Sequence, residues 1–133
     1  MRTPEPNETV ILLAEDEPVV RNLVRTMLAQ AGYAVLTAND GAEALEICKA
    51  YTDEIHLFLT DVVMPRVDGL TAATAVRKLR PEMKVIVMSG ATIDTIRAGN
   101  RPDAFLRKPF IPPALLKCVE KVLAAEGPVE CDS

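Results

Sequence analysis

Cysteine is scarce in this 133-residue chain, and long apolar runs are missing. The three cysteines, Cys48, Cys118 and Cys131, are far apart and include no CxxC pair. That spacing indicates neither a disulfide framework nor a zinc site and is typical of a reducing compartment. No apolar run approaches the roughly 18 residues of a membrane span, and no signal-peptide core follows the first residues. We therefore expect a cytoplasmic protein with no membrane segment.

An excess of basic residues is also missing. Lys and Arg number 15 against 19 Asp and Glu, for a net charge of -4. This balance disfavours direct binding to nucleic acid or to an anionic membrane, because phosphate groups require a basic face. Apolar residues make up 49% and charged residues 26%, which excludes intrinsic disorder and collagen-like repeats. The length fits one compact domain and leaves no room for a separate output domain.

What the sequence does contain is an alternation of short apolar runs with stretches of helical periodicity. The apolar runs predict strands at 9–14, 33–38, 55–60, 84–88 and 103–107. The helical spacing predicts helices at 18–31, 70–79 and 112–125, and a helix that begins after the turn at Asn39, Asp40 and Gly41 and carries Ala44, Leu45 and Cys48. A further short helix, the fourth in chain order, is predicted within 91–101. Residues 1–8 and 126–133 are polar and broken by proline, so we expect flexible tails around a domain at 9–125.

Five apolar strands alternating with five helices predict an α/β fold. The strands read as buried on both faces, which favours a parallel sheet with helices on either side and right-handed crossovers. This is a single doubly wound domain of five βα units. In such sheets ligands bind beyond the carboxyl ends of the strands, so the chemistry is expected there.

Polar side chains capable of chemistry follow four of the five strands. They are Glu15 and Asp16 after strand 1, Asp61 after strand 3, Ser89 after strand 4 and Lys108 after strand 5. Three carboxylates at one edge repel each other unless a cation compensates them, and oxygen ligands without His or Cys favour Mg2+. The lysine and the serine hydroxyl suit a phosphoryl group, towards which the central Asp61 would be the nucleophile.

Four short sequence motifs support a family resemblance. LLAEDEP, LTDVVMPRVDG, VIVMSG and FLRKPF each follow or end an apolar strand, and together they resemble the receiver domain of two-component response regulators over residues 9–125. The AED and MSG motifs are also similar to those in the receiver domains of hybrid sensor histidine kinases. The resemblance implies a flavodoxin-like parallel sheet in the strand order 2-1-3-4-5.

The resemblance also implies a role for individual positions. Asp61 matches the phosphoacceptor, Glu15 and Asp16 the acidic pair that holds Mg2+, and the main-chain carbonyl of Val63 the third protein ligand. Ser89 matches the hydroxyl that bonds the phosphoryl group, and Lys108 matches the family's lysine, with a cis peptide expected before Pro109. Ser89 and Phe105 match the switch pair, Phe105 standing three residues before the lysine.

From this resemblance we expect a phosphorelay protein. A sensor histidine kinase or a histidine phosphotransfer domain would donate the phosphoryl group to Asp61, docking around helix 1 and the loop after strand 5, where Pro18, Val19, Asn22 and Pro109 stand. The domain would catalyse only its own phosphoryl transfer and dephosphorylation, so it is not a turnover enzyme. Phosphorylation would change the surface formed by the predicted fourth helix, strand 5 and the predicted fifth helix. A homodimer would form through the same surface.

Two rival functions use the same residues. A phosphatase with an aspartyl nucleophile needs a general acid two residues after it, where this chain has Val63. A phosphorylation-independent interaction module, as degenerate receivers are, has no need of the costly charge cluster. Because Val63 and Ala91 are apolar and cannot position an attacking water, we expect no built-in group that speeds loss of the phosphoryl group.

Each site residue also has a structural interpretation. Asp16 could cap the first helix, Ser89 and Gly90 could form a turn, and Phe105 could be a core residue. His56 lies within an apolar run and is predicted to be structural. Cys48 and Cys118 occupy apolar helix faces and are predicted to pack there. Asp16, Asp61, Ser89 and Lys108 gain their functional interpretation from occurring together.

Overall fold

Strands and helices alternate along the chain. The computed structural model describes residues 8–64, 67–90 and 102–131. The elements within these ranges are β1 (Val10–Ala14), α1 (Pro18–Gln30), β2 (Ala34–Ala38), α2 (Gly41–Ala50), β3 (Leu57–Asp61), α3 (Gly69–Leu79), β4 (Lys84–Ser89), β5 (Ala104–Arg107) and α4 (Pro112–Ala124). The predicted fifth helix is α4. The helix predicted within 91–101 lies outside the described residues.

The five strands form one parallel sheet in the order β2-β1-β3-β4-β5. This confirms the predicted fold class and strand order. β2 is added on one side of β1 and β3 on the other, so the strand order reverses at β1. The carboxyl ends of β1 and β3 lie side by side where the strand order reverses, which is the usual position of a ligand crevice in an open parallel sheet.

Each face of the sheet has its own apolar cluster. Alternate residues of β1 divide between them, Leu12 on one face and Ile11 on the other, as the two-residue period of a strand requires. The first cluster includes Phe58 and is covered by α2 and α3, whereas the second includes Leu59 and is covered by α1 and α4. The strands are therefore buried on both faces, which explains their continuous apolar sequence.

The third strand begins two residues later than predicted. His56 lies just before β3, and its Nδ1 accepts a hydrogen bond from the backbone N–H of Val10 at 3.0 Å. In return, the N–H of His56 donates to the carbonyl of Val10 at 2.9 Å. The imidazole thus takes part in aligning the amino ends of β1 and β3.

Side chains fix the starts of two helices. Asp40 accepts a hydrogen bond from the N–H of Glu43 at 2.8 Å, and Glu43 Oε1 accepts from the N–H of Asn39 at 3.0 Å. The bond to Asp40 is one half of the capping box that the sequence predicts, whereas Glu43 reaches back to Asn39, one residue before the N-cap. Asp68 caps α3 by accepting from the N–H of Thr71 at 2.8 Å.

The expectation that no disulfide forms is wrong for one pair of cysteines. A disulfide joins Cys118 in α4 to Cys131, with 5.3 Å between their Cα atoms. The chain reverses after α4 and returns beside it, and no local sequence pattern reveals such a return. Cys48 remains a free, buried thiol. Among the described helices, none has the length and apolar character needed to cross a bilayer.

Arg80 holds the carboxyl end of α2. Its guanidinium donates to the carbonyl oxygens of Cys48 at 3.2 Å and Asp53 at 2.8 Å, and also to that of Tyr51. The last carbonyls of a helix have no partner within the helix, and Arg80 supplies one from the end of α3. The two helices are thereby joined by a charged side chain.

We predict that Arg80→Gln lowers the free energy of unfolding by about 2 kcal/mol, because hydrogen bonds from a charged donor to part-buried carbonyls are lost. Urea denaturation followed by circular dichroism measures the change. Lys78→Gln removes the same charge from an exposed position of α3 and should change stability by less than about 0.5 kcal/mol. Equal losses in the two variants would refute the capping role.

Candidate functional site

The ammonium group of Lys108 lies between two carboxylates at the carboxyl edge of the sheet. Its Nζ is 2.8 Å from Asp61 Oδ2 and 3.1 Å from Glu15 Oε1. The Glu15 side chain is 2% exposed, that of Asp61 14% and that of Lys108 27%. Residues that follow β1, β3 and β5 therefore meet at one point, as predicted from the parallel sheet.

Backbone contacts hold Glu15 in place. Its N–H donates to the carbonyl of Ala38 at the end of β2 at 3.1 Å, and its Oε2 accepts from the N–H of Glu17 at 3.1 Å. The guanidinium of Arg21, one turn into α1, donates to the Glu15 carbonyl at 2.9 Å. The sequence analysis missed Arg21, because a single arginine on a helix carries no signal that distinguishes it from a solvated one.

Burial and charge act against each other on these groups. Desolvation raises the pKa of the Glu15 carboxyl above 4.5, although its bonds to Glu17 and Lys108 lower it. Burial lowers the pKa of Lys108, but the hydrogen bonds to Asp61 and Glu15 outweigh it, so the net shift is upwards. A raised carboxyl pKa means that the folded state binds the proton more tightly. The contribution of Glu15 to stability therefore falls as pH rises above 4.5 through its folded-state pKa.

Asp16 completes an acidic cluster with Glu15 and Asp61. One carboxylate oxygen from each lies within 4.8 Å of the others, Glu15 being buried and Asp16 exposed. The N-cap of α1 is Glu17, not Asp16, and it makes no side-chain capping bond, so capping does not account for Asp16. Three oxygen donors so close together suit a hard divalent cation such as Mg2+.

The loop after β3 is held close to the phosphoacceptor candidate by a glycine. A Cβ built on Gly69 would lie 1.9 Å from the carbonyl oxygen of Asp61, a distance that no side chain can occupy. The N–H of Gly69 donates to the carbonyl of Val62 at 2.8 Å, and the N–H of Val62 donates to Met88 in β4 at 3.1 Å. Gly69 thus lets the start of α3 pack directly on the end of β3.

Ser89 and Phe105 lie on the face of the sheet covered by α2 and α3. Ser89 ends β4 and is 2% exposed, and its backbone carbonyl accepts from the N–H of Lys108 at 2.8 Å. Phe105 pairs with Val87 in the sheet register and packs against the first cluster while partly exposed. Ser89 stands two positions after Val87 in β4 and so lies on the same face, which makes the two predicted switch residues diagonal neighbours.

The remaining predicted positions are only partly described. Val63 follows the phosphoacceptor candidate by two residues and its side chain is 76% exposed. The peptide bond between Lys108 and Pro109 is cis, in agreement with the resemblance. Ala91 lies outside the described residues.

An apolar groove of about 410 Å³ runs beside Lys108, between α1 and the loop that leads into α4. Two of the residues near it are large and well exposed apolar side chains, Val19 at 73% and Leu23 at 58%. The groove is lined by Val20, Leu23, Val24, Met27, Lys108, Pro109, Phe110 and Pro112. Of the four residues predicted to dock a donor, Pro109 lines this groove directly, while Pro18, Val19 and Asn22 lie on α1 beside it.

Comparison with known proteins identifies the family. The model of the response regulator receiver domain matches residues 11–120. The chain is 39% identical over 116 residues to the sensor kinase CckA of Brucella abortus, covering 85% of this chain and 12% of that protein. It is 33% identical to the receiver protein CpdR of the same species, covering 86% of this chain and 97% of CpdR. The chain thus spans a small part of one relative and nearly all of the other.

Solved structures show the same fold. A response regulator receiver protein from Sinorhizobium medicae superposes with a TM-score of 0.82 at 29% identity, covering 91% of this chain and 98% of that one. The response regulator TrrA from Thermotoga maritima, in complex with Mg2+ and BeF, gives a TM-score of 0.75 at 29% identity, covering 86% and 98%. Receiver domains are signalling domains of two-component systems. With the family model matching most of its length and its acidic cluster at the carboxyl edge of a 2-1-3-4-5 sheet, this chain belongs to the response regulator receiver domain family.

Proposed function

We propose that the domain accepts a phosphoryl group onto Asp61 from a phosphohistidine donor in a Mg2+-dependent reaction. The observation that carries the proposal is the lysine bridge: Lys108 contacts Asp61 and Glu15, with Asp16 adjoining them. A carboxylate nucleophile, a cation beside it and an acidic cluster for a metal are the parts that phosphoryl transfer to a carboxylate needs.

In the proposed transfer, an Asp61 carboxylate oxygen attacks phosphorus. The phosphorus–nitrogen bond to the donor histidine breaks, an acyl phosphate forms on Asp61, and the imidazole leaves with the electron pair. Lys108 Nζ lies 2.8 Å from Asp61 Oδ2, where its charge stabilises the transferring oxygens. Ser89 follows on the adjacent strand and would donate its hydroxyl to a phosphoryl oxygen.

Glu15, Asp16, Asp61 and the main-chain carbonyl of Val63 would hold the metal. When bound, Mg2+ offsets negative charge on the phosphoryl oxygens and on the carboxylates. Lys108 pairs with two of the three carboxylates, Glu15 and Asp61, and a divalent cation would balance the remaining negative charge of the cluster. The complex of TrrA with Mg2+ and BeF supports this assignment by similarity.

The donor would dock in the apolar groove between α1 and the loop before α4. The groove is lined by Lys108 itself, so a helix seated there brings its phosphohistidine to the site edge. Leu23 in the groove and Val19 beside it are exposed, and no other element among the described residues covers them. A sensor histidine kinase or a histidine phosphotransfer domain is the donor we propose.

The response would pass from Asp61 to β5 and α4 through Ser89 and Phe105. A phosphoryl group on Asp61 would draw the Ser89 hydroxyl inwards, and Phe105 would turn into the vacated space. The surface formed by β5 and α4 would then change, including any homodimer contact. The predicted fourth helix, which we also assign to this surface, lies outside the described residues. The rival proposal is a degenerate receiver that acts without phosphorylation, and the labelling experiment below separates the two.

We predict that Asp61→Asn abolishes hydroxylamine-labile phosphorylation. Wild type incubated with acetyl phosphate and Mg2+ should gain the mass of one phosphoryl group, because Asp61 is the nucleophile, whereas the variant should remain at background in intact mass spectrometry. Asp68→Asn is the matched control, since it makes the same change at a capping residue of α3 and should be labelled like wild type. No label in wild type would favour the degenerate receiver, and label retained in Asp61→Asn would place the acceptor elsewhere.

We predict that Mg2+ stabilises the fold, because it relieves repulsion among the carboxylates. At 100 times its Kd the gain should be about 2.7 kcal/mol, seen as a rise in Tm by calorimetry. Asp16→Asn should lose most of this gain. Glu17→Gln removes the adjacent exposed charge and should keep it, and an equal response to Mg2+ in Asp16→Asn and wild type would contradict the metal assignment.

We predict that Leu23→Asp slows transfer from a phosphohistidine donor about tenfold or more, because a charge replaces an apolar contact in the groove. Labelling by acetyl phosphate should be unchanged, since the small donor needs no groove. Leu79→Asp makes the same change at an exposed leucine of α3, on the opposite face, and should leave both rates intact. Equal slowing with both donors would show that Leu23 acts on the site and not on docking.

A further inference from the structure

Residues 126–131, here called the C-terminal segment, lie against α4 and the start of β5. The N–H of Val129 donates to the carbonyl of Asp103 at 2.8 Å, and the Val129 and Cys131 side chains pack against the second apolar cluster. Just before the segment, Lys84 Nζ donates to the carbonyl of Ala125 at 2.8 Å. The segment is thus held at both ends.

The anchor at Asp103 is itself fixed by other contacts. Asp103 Oδ2 accepts from the N–H of Val85 at 2.7 Å and forms an ion pair with Arg77 at 2.6 Å. Because these bonds tie Asp103 to β4 and α3, the segment docks on a rigid part of the fold. Docking brings the Cα atoms of Cys118 and Cys131 to 5.3 Å, inside the range of about 4.4–6.8 Å that disulfides require.

We infer that Cys118 and Cys131 form a reversible thiol–disulfide site that fastens the C-terminal segment to α4. The co-reactant class is a low-molecular-weight disulfide, such as glutathione disulfide. The anchors of the C-terminal segment, Asp103 and Lys84, lie at the amino end of the sheet, whereas the phosphoacceptor candidate lies at the carboxyl end. The inference therefore stands apart from the proposed function and does not depend on it.

The difference in burial between the two sulfurs sets the order of the chemistry. Cys131 is partly exposed and Cys118 is 1% exposed. In oxidation, the Cys131 thiolate attacks the small disulfide RSSR, giving a mixed disulfide on Cys131 and releasing RS⁻. The Cys118 thiolate then attacks the Cys131 sulfur and expels the second RS⁻, so that two protein thiols and RSSR become one protein disulfide and two RSH. Reduction runs the same steps backwards.

The disulfide determines how often the C-terminal segment can detach from α4. With the disulfide closed, the segment cannot leave α4 without unfolding the helix or breaking the bond. With both thiols reduced, the backbone bond of Val129 and the packing of two side chains remain, so opening is far more frequent. Reduction would then periodically uncover the part of the second apolar cluster that Val129 and Cys131 protect.

Cys48 provides an internal reference. It lies in α2, is 4% exposed, and burial raises the pKa of its thiol. The thiol is therefore shielded from solvent, and its protonated form is favoured. Attack on a small disulfide in solution needs an accessible thiolate, whereas Cys118 has only to reach the adjacent sulfur of Cys131. Cys48 should therefore stay reduced under conditions that close the pair.

The test uses the full chain, fully reduced and then equilibrated in glutathione buffers of increasing disulfide content. Thiols are alkylated after denaturation and counted by intact mass. The expected result is a change from three alkylated cysteines to one, Cys48, in monomeric protein. Hydrogen exchange of the peptide containing Val129 should slow on the order of 10- to 100-fold on oxidation. Cys48→Ala should preserve this response, and Cys131→Ser, a change at a partly exposed position, should remove it without altering the reduced fold.

Three results would overturn the inference. Retention of all three thiols in excess glutathione disulfide would show that the pair does not close. A stable mixed disulfide or a disulfide-linked dimer would show that Cys118 does not attack Cys131. A closed pair with unchanged exchange at Val129 would show that the bond does not fasten the segment. Labelling of Asp61 by acetyl phosphate, measured on the same samples, reports separately on the phosphoacceptor proposal.

Discussion

The ammonium group of Lys108 between Asp61 and Glu15 is the contact on which the arrangement of the site depends. It joins the ends of β5, β3 and β1. Burying the charged carboxylate of a glutamate costs free energy unless a cation accompanies it. The ion pair with Lys108 offsets this cost for Glu15. Lys108 pairs with two carboxylates, and Asp16 adds a third to the same cluster. This excess of carboxylates over the ammonium that bonds them is the physical reason to expect a divalent cation there.

The parallel sheet brings these groups together without help from the loops. Every strand delivers its last residue to the same edge, and the order β2-β1-β3-β4-β5 places the strands that bear Glu15 and Asp61 side by side. The loops then only refine the positions. Gly69 allows α3 to start against the Asp61 carbonyl, and Arg21 holds the Glu15 carbonyl from α1.

The sequence predicted the features that follow from local pattern, and it missed those that depend on distant contacts. Continuous apolar runs identified all five strands, and the capping box at Asp40 identified the start of α2. His56 was placed inside a strand because its apolar neighbours continue the run, yet its ring bonds to Val10 before β3 begins. Arg80 and the disulfide partner Cys131 act on residues far away in sequence or beyond a chain reversal, so no periodicity could reveal them. Arg21 lies only six residues from Glu15, but a single arginine on a helix looks like a solvated one.

The proposed donor groove and the two proposed switch residues lie on different faces of the sheet. The groove beside Lys108 opens on the α1 and α4 side, whereas Ser89 and Phe105 lie with the first cluster on the α2 and α3 side. Only the carboxyl edge is common to both faces. A phosphoryl group bound there would contact a donor from one side and pull on Ser89 from the other. The proposed change therefore starts at the carboxyl edge and, through Phe105, reaches β5, which α4 contacts on the other face of the sheet.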